Sequence, residues 1–200
     1  MDQPIIIGVG GFNSDVGKTT LMCELLQWFP DWEAIKTTRG HYRSCGKDPH
    51  ACCVSHLLSE EPLVRSGRAE TYEPGKDTGR YWDAGAANVH WLIATDNQVE
   101  NGIKEALSRV KSRGVFVEGN SFAQFVNTDH FVMVRRADND KMKTSARRTI
   151  NRVTAIYVSD LAGEVDNKND YLPTAETPLF TPSSLFSLVS YLKWNRSKLY

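Results

Sequence analysis

The sequence predicts an α/β fold in which a mainly parallel, doubly wound sheet is covered by helices on both faces. Short apolar, β-branched runs alternate with stretches that have helical spacing, and no Asn-Gly hairpin joins two of the runs. The first apolar run also leads directly into a glycine-bearing loop and then into a helix. These observations favour strands joined by helical crossovers, and we expect one domain over the 200 residues, 1–200.

The predicted elements follow one another in a regular order. Apolar runs predict strands at residues 4–9, 32–37, 88–94, 115–118, 131–134 and 154–158. Helical spacing predicts helices at residues 19–28, 98–113 and 141–148, and a last helix that ends at Leu192 and is capped by Ser183 and Ser184. The basic stretch 141–148 could be a solvated helix face or could dock an acidic partner. Residues 39–78 fit no such pattern and predict an irregular insert.

A phosphate-binding loop follows the first strand. Gly11 and Gly17 let the backbone wrap around a phosphate, Lys18 supplies a cation, and Thr19 supplies a hydroxyl for Mg²⁺. Five residues separate the two glycines instead of the common four, because Phe12 stands where the first glycine of the common pattern would be. The loop predicts a fold of the P-loop NTPase type and the binding of a nucleoside triphosphate. The residues predicted to bind it are Gly11, Asn13, Ser14, Asp15, Val16, Gly17, Lys18, Thr19, Thr20, Lys36 and Lys76.

Two carboxylates are candidates for chemistry beside the phosphates. Glu118 ends an apolar strand, and ligands of open α/β sheets bind beyond the carboxyl ends of strands. It could hold Mg²⁺ opposite Thr19, or it could be an ordinary surface acid. Asp77 lies in a polar, glycine-rich segment and could orient a water molecule or contact a metal, although a helix cap would explain it equally well. The predicted catalytic residues are Lys18, Glu118 and Asp77.

The segment around Asp77 carries a family resemblance. The block Gly75-Lys76-Asp77-Thr78 with Ala84-Gly85-Ala86, the Gly-Lys-Thr-Thr loop, Ile35-Lys36 and Val117-Glu118-Gly119 together resemble the MobB family of molybdopterin-guanine dinucleotide biosynthesis adaptor proteins. The resemblance extends from residue 4 to about residue 160. It implies GTP binding with weak hydrolysis and a supporting role in attaching guanylate to the molybdenum cofactor. It also implies a partner, the guanylyltransferase MobA, and a homodimer.

Two other functions stay open because the sequence departs from that family. The family has a histidine-rich Lys-His-x-His-His after the second strand, whereas this chain has Lys36-Thr37-Thr38-Arg39-Gly40-His41. The phosphate loop is closer to the longer loop of dethiobiotin synthetase, which is an ATP-dependent enzyme that activates a small carboxylate. The third possibility is a metal-binding, nucleotide-dependent chaperone.

The chaperone hypothesis rests on the insert. Three of the four cysteines and three of the five histidines lie within sixteen residues of it. Such soft ligands could hold Zn²⁺ or another transition metal, with Cys45, His50, Cys52 and Cys53 as the candidate ligands. The spacing is not that of a zinc finger, and a short helix that packs Cys52 and Cys53 inside would also explain it.

Composition excludes several classes of function. Lys and Arg together number 24, as do Asp and Glu, so the net charge is zero and no global field attracts nucleic acid or acidic membranes. No signal segment and no apolar run of membrane-spanning length is present, which predicts a cytoplasmic protein with reduced cysteines. His90 alternates with apolar residues and predicts a satisfied core histidine. The tetrapeptide Asn167-Lys168-Asn169-Asp170 spells a guanine-reading motif but follows no strand directly, so we interpret it as chance.

Overall fold

A computed structural model of the protein describes residues 3–40, 57, 59–138, 141–160 and 176–194. The strands are β1 (Ile5–Gly11), β2 (Glu33–Arg39), β3 (Leu63–Ser66), β4 (Val89–Ala94), β5 (Gly114–Glu118), β6 (His130–Arg135), β7 (Ala155–Val158) and β8 (Leu179–Phe180). The α-helices are α1 (Lys18–Trp28), α2 (Arg68–Thr71), α3 (Asp77–Asp83), α4 (Val99–Ser108), α5 (Thr144–Arg147) and α6 (Leu185–Trp194). Short 3₁₀ helices span Ser121–Gln124, Ile150–Arg152 and Pro182–Ser184.

The strands form one sheet in the order β3-β4-β2-β5-β1-β6-β7-β8. Every neighbouring pair is parallel except β3 and β4, which are antiparallel. Parallel neighbours need a crossover on one face of the sheet, and the helices supply it. The predicted α/β fold with a mainly parallel, doubly wound sheet is confirmed.

Both faces of the sheet are buried. On one face, side chains of α1 and α6 pack with Ile7, Val9 and Phe116 in one apolar cluster. On the other face, α4, α5 and the 3₁₀ helix after β5 pack with Ile35, Val117 and Met133 in a second cluster. Burial on two faces explains why the central strands read as continuous apolar runs in the sequence.

Four local predictions need correction. The excursion at 39–78 contributes an edge strand, β3, and the short helix α2. The predicted helix at 98–113 ends at Ser108, and only one turn, Thr144–Arg147, forms within the basic stretch. The last helical segment is capped by Thr181, whose hydroxyl and backbone N–H form a capping box with Ser184, so the cap lies earlier than predicted.

Some predictions fall on residues outside the described ranges. The four candidate zinc ligands Cys45, His50, Cys52 and Cys53 belong to this group, as does the tetrapeptide at 167–170. Within the described part of the chain, no helix has the length and apolar character that crossing a membrane requires.

Candidate nucleotide-binding site

The candidate site lies where parallel strands of the sheet end. Val9 of β1 and Lys36 of β2 are both in register with Glu118, the last residue of β5. Since β5 lies between β1 and β2, Glu118 projects between the loop that follows β1 and the side chains of β2. Ligands of open α/β sheets bind at this edge, so the topology brings the predicted site residues to the expected place.

The phosphate loop joins β1 to α1 through two residues in the left-handed region. Asp15 has φ 57° and Gly17 has φ 91°, so the backbone folds back on itself directly before Lys18 opens the helix. Phe12, which replaces the first glycine of the common pattern, is 1% exposed and packs in the core. Phe12 is therefore an anchor: its side chain fixes the start of the loop while the backbone beyond it turns.

Asn120 holds the beginning of the loop from the side. Its Oδ1 accepts the N–H of Gly11 at 2.8 Å, and its Nδ2 donates to the Gly11 carbonyl at 2.9 Å. A Cβ at residue 11 would lie 2.8 Å from Val16 Cγ2 and 2.9 Å from Lys18 Cδ, so only glycine fits there. The sequence analysis missed Asn120, although its position two residues after Glu118 at the sheet edge was an available signal.

Glu118 is the centre of a polar cluster. Its side chain is 2% exposed, and Lys36 Nζ donates to its Oε1 at 2.7 Å. Its Oε2 accepts hydrogen bonds from the Thr19 hydroxyl at 3.1 Å and from the Tyr81 hydroxyl. We call these residues together with Asp77 the open cluster, because all of them except Tyr81 line a cavity.

Lys36 bridges the two carboxylates of the open cluster. Its ammonium lies 2.5 Å from Asp77 Oδ2 and 2.7 Å from Glu118 Oε1. Burial lowers the Lys36 pKa, but the two carboxylates outweigh burial and raise that pKa above its ordinary value. Burial likewise raises the Asp77 pKa, but Lys36 outweighs this and holds that pKa below its ordinary value. The sequence predicts Lys36 as a phosphate ligand, whereas here it forms ion pairs with acids.

Tyr81 is a residue that the sequence analysis missed. It is fully buried on α3, and burial together with the charge of Glu118 raises its pKa well above the ordinary value. The phenol is therefore a permanent hydrogen-bond donor to Glu118. It also connects the open cluster to the helix that begins at Asp77.

A cavity of about 580 Å³ opens beside the loop and the open cluster. Its walls come from the loop, from β2, from the start of α3, from the ends of β4 and β5, and from the segment before α5. The predicted site residues that line it are Ser14, Asp15, Gly17, Lys18, Thr19, Thr20, Lys36, Asp77 and Glu118. The structure thus brings most of the predicted nucleotide-binding residues together around one cavity.

Four predicted ligands do not line this cavity. The Val16 side chain is buried beneath the loop, and the Gly11 backbone is paired with Asn120. The Asn13 side chain donates to the Lys141 carbonyl, while the Asn13 carbonyl accepts from Lys18 Nζ at 3.4 Å. Lys76 is exposed at the start of α3, and Arg80, one turn further along, lines the cavity instead.

Lys143 is a third site residue that was not predicted, because it belongs to the basic stretch that suggested a solvated helix face. Its backbone N–H donates to the Phe12 carbonyl at 2.9 Å, which ties it to the start of the phosphate loop. Its side chain lines the cavity, where burial and then the charge of Lys18 lower its pKa to about 8. Burial also lowers the Lys18 pKa. Lys18 and Lys143 therefore face the same cavity, and the acids near them do not offset the effect of burial on their pKa values.

A smaller cavity of about 230 Å³ lies on the other side of the phosphate loop. It shares Asp15, Gly17 and Thr20 with the large cavity. Its remaining walls come from α1 and from the ends of β6 and β7, including Arg136, Tyr157 and Asp160. The two cavities therefore lie against the same part of the phosphate loop.

The described part of the chain contains no group of three or more His, Cys, Asp and Glu side chains arranged to hold a metal ion alone. The donors near the loop are the Thr19 hydroxyl and two carboxylates, an oxygen set that suits Mg²⁺ when phosphate and water complete the coordination. The ammonium of Lys36 lies between those carboxylates in this structure.

No protein-family model matches the sequence, and no curated protein matches it. Among solved structures, the chain is similar to LpxK from Aquifex aeolicus in complex with ATP, with a TM-score of 0.51 and 17% sequence identity over 89% of this chain and 53% of that one. A structure of the signal recognition particle receptor FtsY from Elizabethkingia anophelis in complex with GDP matches with a TM-score of 0.39 and 14% identity, over 82% of this chain and 51% of that one. The chain spans about half the length of these two proteins.

Three observations agree on the architecture: the strand order, the loop between β1 and α1, and the likeness to LpxK. The fold is that of the P-loop NTPases. At 17% identity the likeness concerns the fold alone.

Proposed function

We propose that the protein binds a Mg²⁺–nucleoside triphosphate at the phosphate loop and cleaves the γ-phosphate slowly. The observation that carries this proposal is the convergence of Lys18, Thr19 and Glu118 on one cavity at the carboxyl edge of the sheet. A lysine, a hydroxyl and a strand-end carboxylate around a glycine loop are the parts that phosphoryl transfer requires.

The chain's own residues supply positioning and charge. Lys18 and Lys143 face the space beside the loop and would neutralise the outer phosphates, and Arg80 adds a further cation from α3. Thr19, Glu118 and Asp77 are the residues that would hold Mg²⁺. The bound ion would supply charge neutralisation at the phosphate oxygens. Lys36, which now bridges the two carboxylates, is within the same cavity and would turn its ammonium toward phosphate when the acids have another cation.

The arrangement of the acids favours slow hydrolysis. Glu118 is held by three donors, and Asp77 is ion-paired with Lys36 at 2.5 Å. A general base must be free to accept a proton from water, and a carboxylate that is fully engaged with cations is a weak base. Neither acid of the open cluster is thus poised to activate water before something displaces Lys36.

The smaller cavity gives the nucleoside a place. It lies against Thr20 and Glu24 of α1, and it shares Asp15 and Gly17 with the phosphate side of the loop. A triphosphate that wraps the loop would leave its sugar and base on this side, between α1 and the ends of β6 and β7.

The more specific form of the proposal is a GTP-binding accessory protein of molybdenum cofactor guanylylation. It is supported by the resemblance of Gly75–Ala86 and the other three blocks to the MobB family. Within that same segment, Asp77 pairs with Lys36 and Tyr81 donates to Glu118, and both partners belong to the proposed site. On this hypothesis the partner is a MobA-like guanylyltransferase, the protein is cytoplasmic, and a homodimer forms.

A second candidate is an ATP-dependent enzyme that acts on a small molecule, as dethiobiotin synthetase does. One observation favours it: the large cavity continues past the phosphate loop to Arg39 of β2 and Val99 of α4, where a second reactant fits. The similar structure of LpxK was solved in complex with ATP.

A calorimetric titration with Mg²⁺–GTP and Mg²⁺–ATP tests the proposal and separates its two forms. Tighter GTP binding with slow turnover that does not depend on a small molecule supports the accessory protein. Tighter ATP binding supports the enzyme. If neither nucleotide binds, or if a bound analogue lies away from residues 11–20, the proposal is wrong. A metal analysis of the purified chain tests the separate zinc hypothesis at Cys45, His50, Cys52 and Cys53.

A further inference from the structure

The large cavity is wider than a triphosphate needs. The phosphate loop sits at the end of β1, and the sheet continues from β1 through β5 and β2 to β4. Neighbouring strands lie about 4.8 Å apart, so the end of β4 lies roughly 14 Å from the loop. The cavity spans this distance, because both the loop residues and Ala94 of β4 line it.

The distant part of the cavity has its own chemistry. We define it as the far chamber, and its residues are Thr38, Arg39, Leu92, Ala94 and Val99. Three of these side chains are apolar, and Arg39 is the only charged one. Among the described residues, the acids that line the whole cavity are Asp15, Asp77 and Glu118, and they lie at the loop or in the open cluster.

Arg39 is held in place without being buried. Its Nη2 forms an ion pair with Asp96 at 2.5 Å, and its side chain is 54% exposed. Asp96 is not among the residues that line the cavity. A guanidinium carries five N–H donors, so one pairing with a carboxylate orients the group and leaves donors for a second oxyanion.

The large cavity has room for a small organic ligand of its own. Pockets for small organic ligands have volumes of roughly 300–1,000 Å³. The cavity of about 580 Å³ falls inside that range although the smaller cavity beyond the loop is separate from it. If the nucleoside lies in the smaller cavity, the large one holds only the phosphates and the metal, and the space above β2 and β4 remains for another molecule.

We propose that the far chamber binds a small organic oxyanion with a short apolar body, beside the γ-phosphate of the bound nucleotide. Arg39 binds the oxyanion, and Leu92, Ala94 and Val99 contact the apolar body. This inference rests on the proposed nucleotide site. A carboxylate and a phosphate monoester share the required chemistry, so the experiment includes both.

The experiment measures binding of four six-carbon probes to the full chain by calorimetry. The protein is first saturated with Mg²⁺ and the non-hydrolysable β,γ-methylene analogue of whichever nucleotide binds. Hexanoate and hexyl phosphate carry an oxyanion, hexan-1-ol is neutral, and hexylamine is a cation. Arg39→Gln removes the guanidinium. Arg113→Gln is the matched control, because Arg113 is exposed and lies at the amino end of β5, away from the cavity at the carboxyl end.

We expect at least one of the two oxyanion probes to bind the nucleotide-loaded protein, and the stronger of the two identifies the class. Arg39→Gln should weaken that binding about tenfold or more, since a charge-assisted hydrogen bond is lost, whereas Arg113→Gln should not change it. Val99→Phe, which fills the chamber from α4, should weaken it independently of charge.

Several results would overturn the proposal. They are no binding by either oxyanion, equal binding by hexan-1-ol or hexylamine, and unchanged binding in both Arg39→Gln and Val99→Phe. Binding that disappears when the nucleotide analogue is present also overturns it, because the probe then occupies the phosphate loop. The titration of the nucleotide analogue is performed first on the same samples. If the nucleotide analogue does not bind, the proposed function is contradicted. If the analogue binds but no probe does, only the proposal for the far chamber is contradicted.

Discussion

Strand β2 takes part in two buried polar clusters, one at each of its ends, and the clusters differ in what lies next to them. At the amino end, Glu33 accepts hydrogen bonds from the backbone N–H groups of Lys111 and Ser112 at 2.7 and 2.8 Å. It also lies 2.7 Å from His90 Nε2, while His90 Nδ1 lies 2.8 Å from the Ser66 hydroxyl. We call Glu33, His90 and Ser66 the sealed cluster. At the carboxyl end is the open cluster around Glu118.

The two clusters show that burial of a carboxylate does not by itself indicate function. Glu33 is 3% exposed and Glu118 is 2% exposed, and both carboxylates are fully hydrogen-bonded. Neither cavity is lined by Glu33 or His90, whereas Glu118 lines the large one. The partners of Glu33 are backbone groups and a core histidine, whereas one partner of Glu118 is a lysine side chain that itself lines the cavity. The two clusters therefore differ in the kind of partner and in access to a cavity.

Glu33→Ala should produce the largest effect and should act on stability alone. Removing the carboxylate deprives the buried His90 Nε2 and two half-buried backbone N–H groups of their shared acceptor, which costs about 3–5 kcal/mol of unfolding free energy. Burial raises the Glu33 pKa, but His90 and the two N–H groups outweigh this and hold the pKa below the ordinary 4.5. The wild-type contribution is thus complete above pH 4.5 and is lost as the pH falls through the lower folded-state value. Chemical denaturation at several pH values measures both effects.

The control for that variant is Glu100→Ala, on the exposed face of α4, which should change stability by less than about 0.5 kcal/mol. Two results would contradict the distinction between the two clusters. One is a loss of less than about 1 kcal/mol of unfolding free energy in Glu33→Ala. The other is a loss of nucleotide affinity in that variant at a temperature where it is folded.

Lys18→Ala should have the opposite profile. The lysine begins α1 and faces the cavity, and its loss removes charge-assisted contacts to phosphate that we expect to weaken Mg²⁺–nucleotide binding about 100-fold. Stability should not fall, because burial lowers the Lys18 pKa and the folded protein bears a cost for its charge. Calorimetry and a thermal melt measure the two quantities, with the exposed Lys104→Ala as control. If Lys18→Ala lowers the melting temperature as far as Glu33→Ala does, the role of Lys18 as a phosphate ligand without a part in stability is contradicted.

Glu118→Gln should separate chemistry from binding inside the open cluster. The amide keeps the shape and can still accept from Tyr81 and Thr19, but it loses the charge that attracts a cation. We expect nucleotide hydrolysis to fall about 30-fold and affinity to change less than about fivefold, with a higher Mg²⁺ requirement. Single-turnover hydrolysis across a Mg²⁺ series measures this. Wild-type turnover with an unchanged Mg²⁺ requirement would show that Glu118 is as purely structural as Glu33.

The smallest effect concerns pH and Lys143. Its pKa of about 8 in the free protein should rise when phosphates bind, because negative charge favours the ammonium form. Affinity is therefore complete below pH 8 and should fall by up to about tenfold per pH unit above it, until the pKa of the complex is reached. Titrations from pH 7 to 9.5 measure the slope. Lys143→Met should lower the affinity at pH 7 and flatten the profile, and a profile equally steep in the variant would assign the proton to another group.

Local sequence was sufficient for the elements that repeat a simple pattern. β1, β4, β6 and β7 were predicted within two residues, because strands buried on both faces are continuous apolar runs. β3 was not predicted: it has four residues, and its antiparallel pairing with β4 is a contact that no local pattern encodes. The cap of the last helix was misplaced by two residues, since serine and threonine occur together at 181–184 and each can cap.

The sequence by itself determined the phosphate loop, the strand that ends in Glu118 and the alternation of strands with helices, because each depends on residues that are neighbours in the chain. Only the tertiary structure decided which side chains meet at the site. Lys36 pairs with Glu118 across 82 residues, Tyr81 across 37, and Asn120 with Gly11 across 109. These contacts depend on strand register and on where α3 packs against the sheet. For the same reason a lysine predicted to bind phosphate binds two acids, and a lysine predicted to face solvent lines the cavity.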